Sequence, residues 1–556
     1  MPIRILLLIL ALLTAISANA VPVEVSHPVA GFLKRLEEKG LIEPGFYNTL
    51  PRSEAEVAAA LAQAYRRQGS LTKWDRQRLE RYLNEFDPER WKPRTKLRYE
   101  DSTFSIRGRV EYYNASSNKD SLPGVEAYAF GSLSSRVDVT YGDRLYFTAA
   151  ATLAGMERNL SERFVAHYDP QQGLPYNTNR DGQRGIPQGV STFDGFRTVI
   201  GFGDARLKLE AGQDWNQWGP GHWQHTTFST KPHFWVGDSL AASVPGSAAG
   251  FNGNDTVFMR ARRGYRYLGE GPPLPQIRLR VGGTNWEYVK IVARRTGLDK
   301  DASATLVAHR LQVRLGNWTF GGMEMLAVGD RALNELAFVP GVPLKMLEHA
   351  SGDQDNAAMA ADMEWMLPGY GRIYGELFVD DFSGPPLSFW GNKFAYVVGT
   401  SLQDPFGLPT EVHVEYARVD PYVYSHNLNN TALQHYGALL GSSLPPNSHG
   451  VFTSATFPLP HSVEGTVEWK FQQRDLKSPG SSIFDDPYLS PHSINSEFLE
   501  RDIETRNQIS LGAEINLERY LRFRYGFGVL WVNNWHGYQG QNVVTPTAGG
   551  ELFVRY

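Results

Sequence analysis

Residues 125–141 read Val-Glu-Ala-Tyr-Ala-Phe-Gly-Ser-Leu-Ser-Ser-Arg-Val-Asp-Val-Thr-Tyr. Val125, Ala127, Ala129, Gly131, Leu133, Ser135, Val137, Val139 and Tyr141 fall on every second position. Side chains of a strand point alternately to its two faces, so this period of two is one long strand. The pattern recurs at 106–112, 359–367, 463–471 and 521–531, with Arg107, Arg109 and Glu111, or Glu464, Glu468 and Lys470, in between. The runs are about nine to thirteen residues long. Strands of soluble sheets average about five or six, whereas a tilted bilayer crossing needs about nine to eleven.

The connections point the same way. Short turns fall near 142–144, 203–204, 316–318, 368–371, 404–409, 458–461 and 518–520. Long loops fall near 155–193, 213–254, 328–356, 380–391, 420–448, 476–505 and 533–546. The two kinds alternate, as the periplasmic turns and outer loops of a membrane barrel do. Parity requires 124–141 to be one strand and 276–295 to be one long strand bulged near Gly282-Gly283. The expected fold is an all-β transmembrane barrel of about eighteen antiparallel strands over 99–556, with both termini periplasmic. The last strand sets Leu552, Val554 and Tyr556 against Glu551, Phe553 and Arg555. Barrel families offer such an end, closing on an aromatic, to the outer-membrane assembly machinery.

Composition alone suggests something else. The chain has 556 residues, 42% hydrophobic, a net charge of -4 and no cysteine. Its mean hydropathy is -0.36. Near-neutral charge argues against a nucleic-acid partner, and the lack of cysteine excludes disulfides, thiolate zinc and a cysteine nucleophile. No apolar run is long enough for a transmembrane helix. Averages cannot register a period of two, so none of this opposes a barrel.

The first twenty residues read as an export signal. Arg4 is the positive segment, 5–15 the apolar one, Ala18-Asn19-Ala20 the cleavage site and Val21 the expected mature start. Residues 21–98 read as a periplasmic module of three helices. The first, 27–41, has Pro28 at its start, Phe32, Leu33 and Leu36 on one face and Gly40 at its end. The second, 53–68, opens on the capping box Ser53/Glu56. The third, 72–86, repeats the cap with Thr72/Asp75 and carries Trp74, Leu79, Tyr82, Leu83 and Phe86.

Three loop segments carry candidate chemistry. The first holds Trp215, Asn216, Trp218, His222, Trp223 and Trp235; the second Tyr422, Tyr424, His426, Asn427 and Asn447; the third Asp380 and Asp381. Flat aromatic faces stack on sugar rings, and amides and carboxylates read hydroxyls. The same aromatics could equally form a membrane girdle or pack into the lumen. His222, His225 and His233 are dense enough to raise zinc, but no carboxylate accompanies them at helical spacing. The Asp380-Asp381 pair raises acid–base catalysis or calcium, against rim or luminal salt-bridge roles. His309, sharing a strand face with Leu311 and Val313, points outward without a placeable serine partner. No catalytic residue, metal or cofactor is assigned.

In four ordered elements the chain resembles the Wzi-type capsule assembly proteins of the Gram-negative outer membrane. These are the opening HPVAGFLKRLEEKGLI, GQ…WGPG, YGELFVDDF, and YVYSHN…HYG…LG…PNS. The resemblance implies an eighteen-stranded barrel closed by a periplasmic helical bundle and inward loops. It also implies a non-enzymatic surface lectin holding exported capsular or other surface polysaccharide. Lipid and that polysaccharide would be its partners, in an outer membrane and as a monomer. A substrate-selective porin is the other function expected of such a barrel, and an outer-membrane hydrolase a third.

Overall fold

The computed structural model describes residues 21–86 without 26, 102–158 without 116–125 and 142–143, 177–179, 190–230, 234–235, 264–265, 273–296, 303–427 without 330 and 353, 431–435 and 438–555 without 477, 484, 486, 488–493, 519–520, 535–538 and 541. The expected signal segment, residues 87–98 of the module, His233, Tyr436-Gly437 and Tyr556 lie outside the described residues.

Among the described residues eighteen strands of eight residues or more, from Ser102–Ala115 to Asn542–Arg555, pair antiparallel into a closed ring, with the short Asn177–Asn179 paired to Val190–Gly203. The first and last strands seal it, from Ser105↔Arg555 to Tyr113↔Thr547. Strand lengths run from 8 residues at Leu207–Asp214 to 16 at Glu126–Tyr141. The expectation of one bulged strand over 276–295 is corrected. Leu274–Gly282 and Trp286–Thr296 are two strands of a hairpin in which the Gly283 N–H bonds the Trp286 carbonyl at 2.8 Å. Thr284-Asn285 is the turn. A glycine pair before a polar pair serves a tight hairpin as readily as a bulge.

The ring is apolar outside, and inside it carries charged side chains together with an apolar cluster that includes Ile291, Leu306, Met323, Phe378 and Val397 and packs against Trp218, Phe228 and Leu440. On Asn356–Leu367, Met359, Met363 and Trp365 are exposed while Asp362 and Glu364 are buried. On Glu126–Tyr141, Leu133, Val137 and Val139 face out and Arg136 and Asp138 face in. Trp318 stacks on Trp365 with ring centroids 5.1 Å apart, at the short-turn end, as an interfacial aromatic belt requires. Many of the inward charges are paired. Arg278 binds Glu210 at 2.6 Å and Asp214 at 2.7 Å, and Arg474 binds Glu504 at 2.7 Å. A charge left unpaired there would cost several kcal/mol; buried Arg295 donates instead to the Gln434 carbonyl at 3.1 Å.

Three helices, α1 (Val29–Glu38), α2 (Glu54–Arg66) and α3 (Lys73–Phe86), sit in the end of the ring that carries the short turns. Ser53 and Glu56 form the capping box, and Thr72 Oγ1 accepts the Asp75 N–H at 3.1 Å. Phe32, Leu36, Leu61, Leu79, Leu83 and Phe86 make the module's own core. Polar contacts seat it. The Gly369 N–H bonds the Glu38 carbonyl, Arg372 holds the Glu38 carboxylate at 2.8 Å, and Lys34 holds Glu364 at 2.6 Å. Arg52 reaches Glu287, and Arg81 reaches Glu464 at 3.0 Å.

From the opposite end, residues 215–230 descend into the lumen. Gln217–Trp218 pairs antiparallel with Thr49–Leu50 of the module, and the Gly219 N–H bonds the Asn48 carbonyl at 2.9 Å. Trp218 is fully buried there, edge-on to Phe228. A segment from each end thus meets in the middle of the ring and shares backbone hydrogen bonds.

Two module carboxyls have opposite environments. Burial would raise Asp75, but Arg35 at 2.5 Å and Lys39 at 2.9 Å outweigh it and hold the group well below the usual carboxylate range. Burial pushes Glu37 up to about 7, with Lys34 opposing. A carboxyl raised in the folded state stabilises fully below its unfolded pKa, and that contribution is lost as pH rises through the folded value. Asp75 contributes unchanged throughout that window. The helical far-UV melt of the purified protein should therefore fall between about pH 4.5 and 7 through Glu37, and Glu37→Gln should flatten the trend. An equal pH dependence in the variant contradicts this assignment. The barrel itself should resist SDS until boiled and run as two forms on a gel; a single form from refolded protein counts against closure.

Candidate functional site

Glu376 on Gly371–Asp381 and Glu415 on Glu411–Val419 point inward from neighbouring parts of the wall and are buried. The inward loop is laid across them. Glu376 accepts the Gly221 N–H at 2.9 Å, the Thr226 N–H at 2.8 Å and the Thr226 hydroxyl at 3.1 Å. Glu415 accepts the N–H groups of His222, Trp223 and Gln224, at 2.7 to 3.2 Å, and the Tyr374 hydroxyl at 2.8 Å. Two carboxylates take up loop donors that would otherwise be orphaned in a buried place. The Gly-Pro-Gly of this loop follows from the close approach. Gly219 has φ +106, and a Cβ there would lie 2.3 Å from Glu376 Oε1.

The loop presents two rings to the lumen. His222 is exposed and stacks on His413 with centroids 3.8 Å apart, and Glu411 holds His413 at 2.8 Å. Half-buried Trp223 lies over Phe452 with centroids 6.0 Å apart. Together they form an aromatic shelf. Of the other residues expected in this segment, Trp215 lies under the Arg197 guanidinium at 4.4 Å. Asn216 is buried between Gln276 and Arg278, at 2.8 and 3.1 Å. Trp235 pairs with Gly264 in a short sheet, its side chain outside the described residues.

The second and third segments organise the rim of the long-loop end. Asp380 is buried and accepts the Tyr424 N–H at 2.6 Å, whereas Asp381 pairs with Lys393 at 2.6 Å. The two carboxylates go to different partners. Tyr424 is buried and donates its hydroxyl to the Thr226 carbonyl at 2.7 Å, tying rim to luminal loop. Asn447 has no exposed surface; its amide accepts the Leu499 N–H at 2.9 Å and donates to Ser481 at 3.2 Å. His426 bonds Thr431 at 2.7 Å, and Asn427 is exposed. Tyr422, Tyr424 and Asn447 have φ of +64, +68 and +57. Backbone strain of this kind costs on the order of 1–3 kcal/mol per residue and gathers where geometry is being held.

A cleft opens beside Tyr422. Trp390, Pro421 and Pro479 join Tyr422 on its apolar side, and Asn495, Ser496 and Glu497 form its polar side. It is shallow, with room for about one water (about 10 Å3), and opens to solvent. The bridge Phe389↔Asn495, with Trp390 N–H to the Ile494 carbonyl at 3.1 Å and Ser496 N–H to the Ser388 carbonyl at 2.7 Å, fixes its walls relative to each other. Half-buried Trp390 lies edge-on to Tyr422, 6.5 Å between centroids. Only Tyr422 of these residues is singled out by sequence. Trp390 ends a loop notable for length alone, and nothing local links it to Glu497. Among the described residues no group of three His, Cys, Asp or Glu side chains could hold a metal ion, and no helix is long and apolar enough to cross a membrane.

The closed ring of long antiparallel strands, apolar on its outer face, defines an outer-membrane type of β-barrel. No family model and no curated protein sequence matches the chain. Among solved structures it is similar to Wzi, a carbohydrate-binding β-barrel involved in group 1 capsule assembly in Escherichia coli. The TM-score is 0.58 at 14% identity, over 97% of this chain and 100% of that one. OccAB4 of Acinetobacter baumannii aligns with 83% of this chain and 100% of its own, at 9% identity and a TM-score of only 0.40.

Removing the carboxylate in Glu376→Ala should free residues 219–226, and Gly219→Ala should do the same by displacing Glu376. In planar bilayers both variants should conduct more than the unaltered protein, with the barrel's heat-modifiability retained. Unchanged conductance in both means these carboxylates do not hold the lumen shut.

Proposed function

We propose that this protein is an outer-membrane lectin that holds an exported surface polysaccharide at the cell, and not a channel. The observation that carries the reading is the clasp between Thr49–Leu50 and Gln217–Trp218. A porin needs a continuous aqueous path, yet here the helical module and an outer loop share hydrogen bonds in mid-lumen. Paired carboxylates and strained rim residues are spent on fixing loops, which suits a rigid recognition surface. The likeness in fold to the carbohydrate-binding Wzi barrel supports the same reading, as do the ordered motifs in the sequence.

The rim cleft is the place we assign to the sugar. Half-buried Trp390, backed by buried Tyr422, supplies the face against which a pyranose C–H face stacks at the mouth of the cleft, and Asn495 and Glu497 supply hydroxyl partners. The shelf of His222 and Trp223 lies deeper in the barrel, against His413 and Phe452 of the wall.

Losing one stacking face costs about 1 kcal/mol, roughly fivefold in affinity. Trp390→Ala should therefore weaken retention of polysaccharide on a column of the purified protein by about that factor, while the His222→Ala effect should be smaller. Cells lacking the gene should shed their surface polysaccharide. Unchanged cell-bound polysaccharide after deletion rejects the lectin, and open-channel conductance by the unaltered protein supports the porin instead.

A further inference from the structure

The outward wall of the barrel carries a polar patch on the strands Trp286–Thr296, Ser303–Leu315 and Trp318–Val328. His309 shares its strand face with Leu311 and Leu315, both exposed, while Arg310 and Gln312 turn inward to Asp362 and to Thr49 of the module. Glu324 likewise shares a face with exposed Phe320. In register, Lys290 pairs with His309, His309 with Glu324, and Glu324 with Met359. Tyr288 pairs with Leu311. The patch thus lies at the level of the exposed apolar band, where a charged side chain facing hydrocarbon costs about 2–4 kcal/mol at mid-depth.

The patch is covered by the chain itself. Residues 334–350 fold down over it from the long-loop end, as the turn Glu335–Phe338 and the helix Leu344–Ala350. Every polar group of the patch takes up part of this segment's backbone or of its neighbour in the patch. Lys290 Nζ donates to the Val339 carbonyl at 2.8 Å, Glu324 accepts the Leu344 N–H at 2.6 Å, and the Tyr288 hydroxyl accepts the Gly341 N–H at 2.9 Å. His309 bridges Glu324 at 3.1 Å and Tyr288 at 3.3 Å. Above the patch, Ala337, Leu344 and Leu347 pack on the outward side chains Val307, Leu326 and Val328. The opposite side of the segment carries Leu336, Phe338, Val339 and Met346, with exposures of 55%, 55%, 46% and 71%.

We infer that residues 334–350 are an interfacial membrane element, which lies against the outer wall and sinks Leu336, Phe338, Val339 and Met346 into the outer leaflet. Irregular backbone cannot face lipid unless protein satisfies its polar groups. The wall's polar patch meets that need, and the segment in return shields the patch. Four large apolar side chains on the far side continue the barrel's own apolar band, so acyl chains are the occupant that their position selects.

The absence of cysteine makes the test direct. Phe338→Cys and Met346→Cys each give a single labelling site, with Ser388→Cys on an exposed outer loop as reference. The full-length protein, labelled with an environment-sensitive fluorophore, is reconstituted in lipid vesicles, with heat-modifiability checked for each variant. At 338 and 346 the emission should shift to the blue, doxyl-labelled lipid should quench it, and iodide should quench several-fold less than at 388. Adding Glu324→Ala should raise iodide quenching toward the reference. Iodide quenching equal to the reference without lipid quenching overturns the inference. Protection from both quenchers, as a second protein copy would give, also overturns it.

Discussion

Hydrocarbon offers no partner to a peptide N–H or carbonyl, and the rest of this molecule answers to that constraint. The seam between Ser102–Ala115 and Asn542–Arg555 is its first consequence. With the ring closed, no strand edge faces lipid. The second consequence is the inverted distribution of side chains. Leucine, phenylalanine and tryptophan cover the lipid side, and buried arginine and glutamate share the inside with an apolar cluster under the inward loops. A ring of this size cannot pack its interior with side chains from the wall alone, so the inward charges are free to hold other segments. Glu364, Glu376, Glu415 and Arg372 do this, binding the helical module from one end and the luminal loop from the other.

That arrangement explains why the module is charged where it meets the barrel. At the short-turn end the wall offers Glu287, Glu364, Arg372 and Glu464 rather than an apolar surface, so a charged exterior is what fits there. Arg35 ties α1 to α3 through Asp75 and both to the wall turn through Asp404, at 2.6 Å. The module keeps its own small apolar core and meets the wall through complementary charges. Such contacts specify orientation more than they add stability, because each pair gives back most of its Coulomb energy as desolvation.

The wall was legible in the sequence because its physics is local. A period of two, strands too long for a soluble sheet, and alternating connection lengths are all visible along the chain. The hairpin at Gly282-Gly283 was not, since glycines serve a bulge or a turn equally and only the neighbouring strand decides. Helix caps at Ser53 and Thr72 were legible for the same local reason. The site was legible only in part. Aromatic loops announce themselves, so Trp218, Trp223 and Tyr422 stand out, but their fates differ: one is buried in the clasp, one lies on a luminal shelf and one lines the rim cleft. Glu376 and Glu415 look like ordinary inward residues of a strand. Their role comes from a loop about 150 to 190 residues earlier, and no spacing rule reaches that far. Trp390 and Glu497 meet only because two long loops bridge.

The outer patch shows the same constraint acting in reverse. Tyr288, Lys290, His309 and Glu324 violate the apolar-out rule of the wall, and an outward histidine in a barrel strand invites a catalytic reading. Its neighbours instead give a structural account. Each polar group meets a backbone group of residues 334–350 or a partner that does, so the patch is a seat for irregular chain at membrane depth. A barrel can therefore carry polar residues on its lipid side without chemistry, provided that the chain they hold turns an apolar back to the membrane. Side-chain polarity on the outer wall becomes evidence of catalysis only where no backbone claims it.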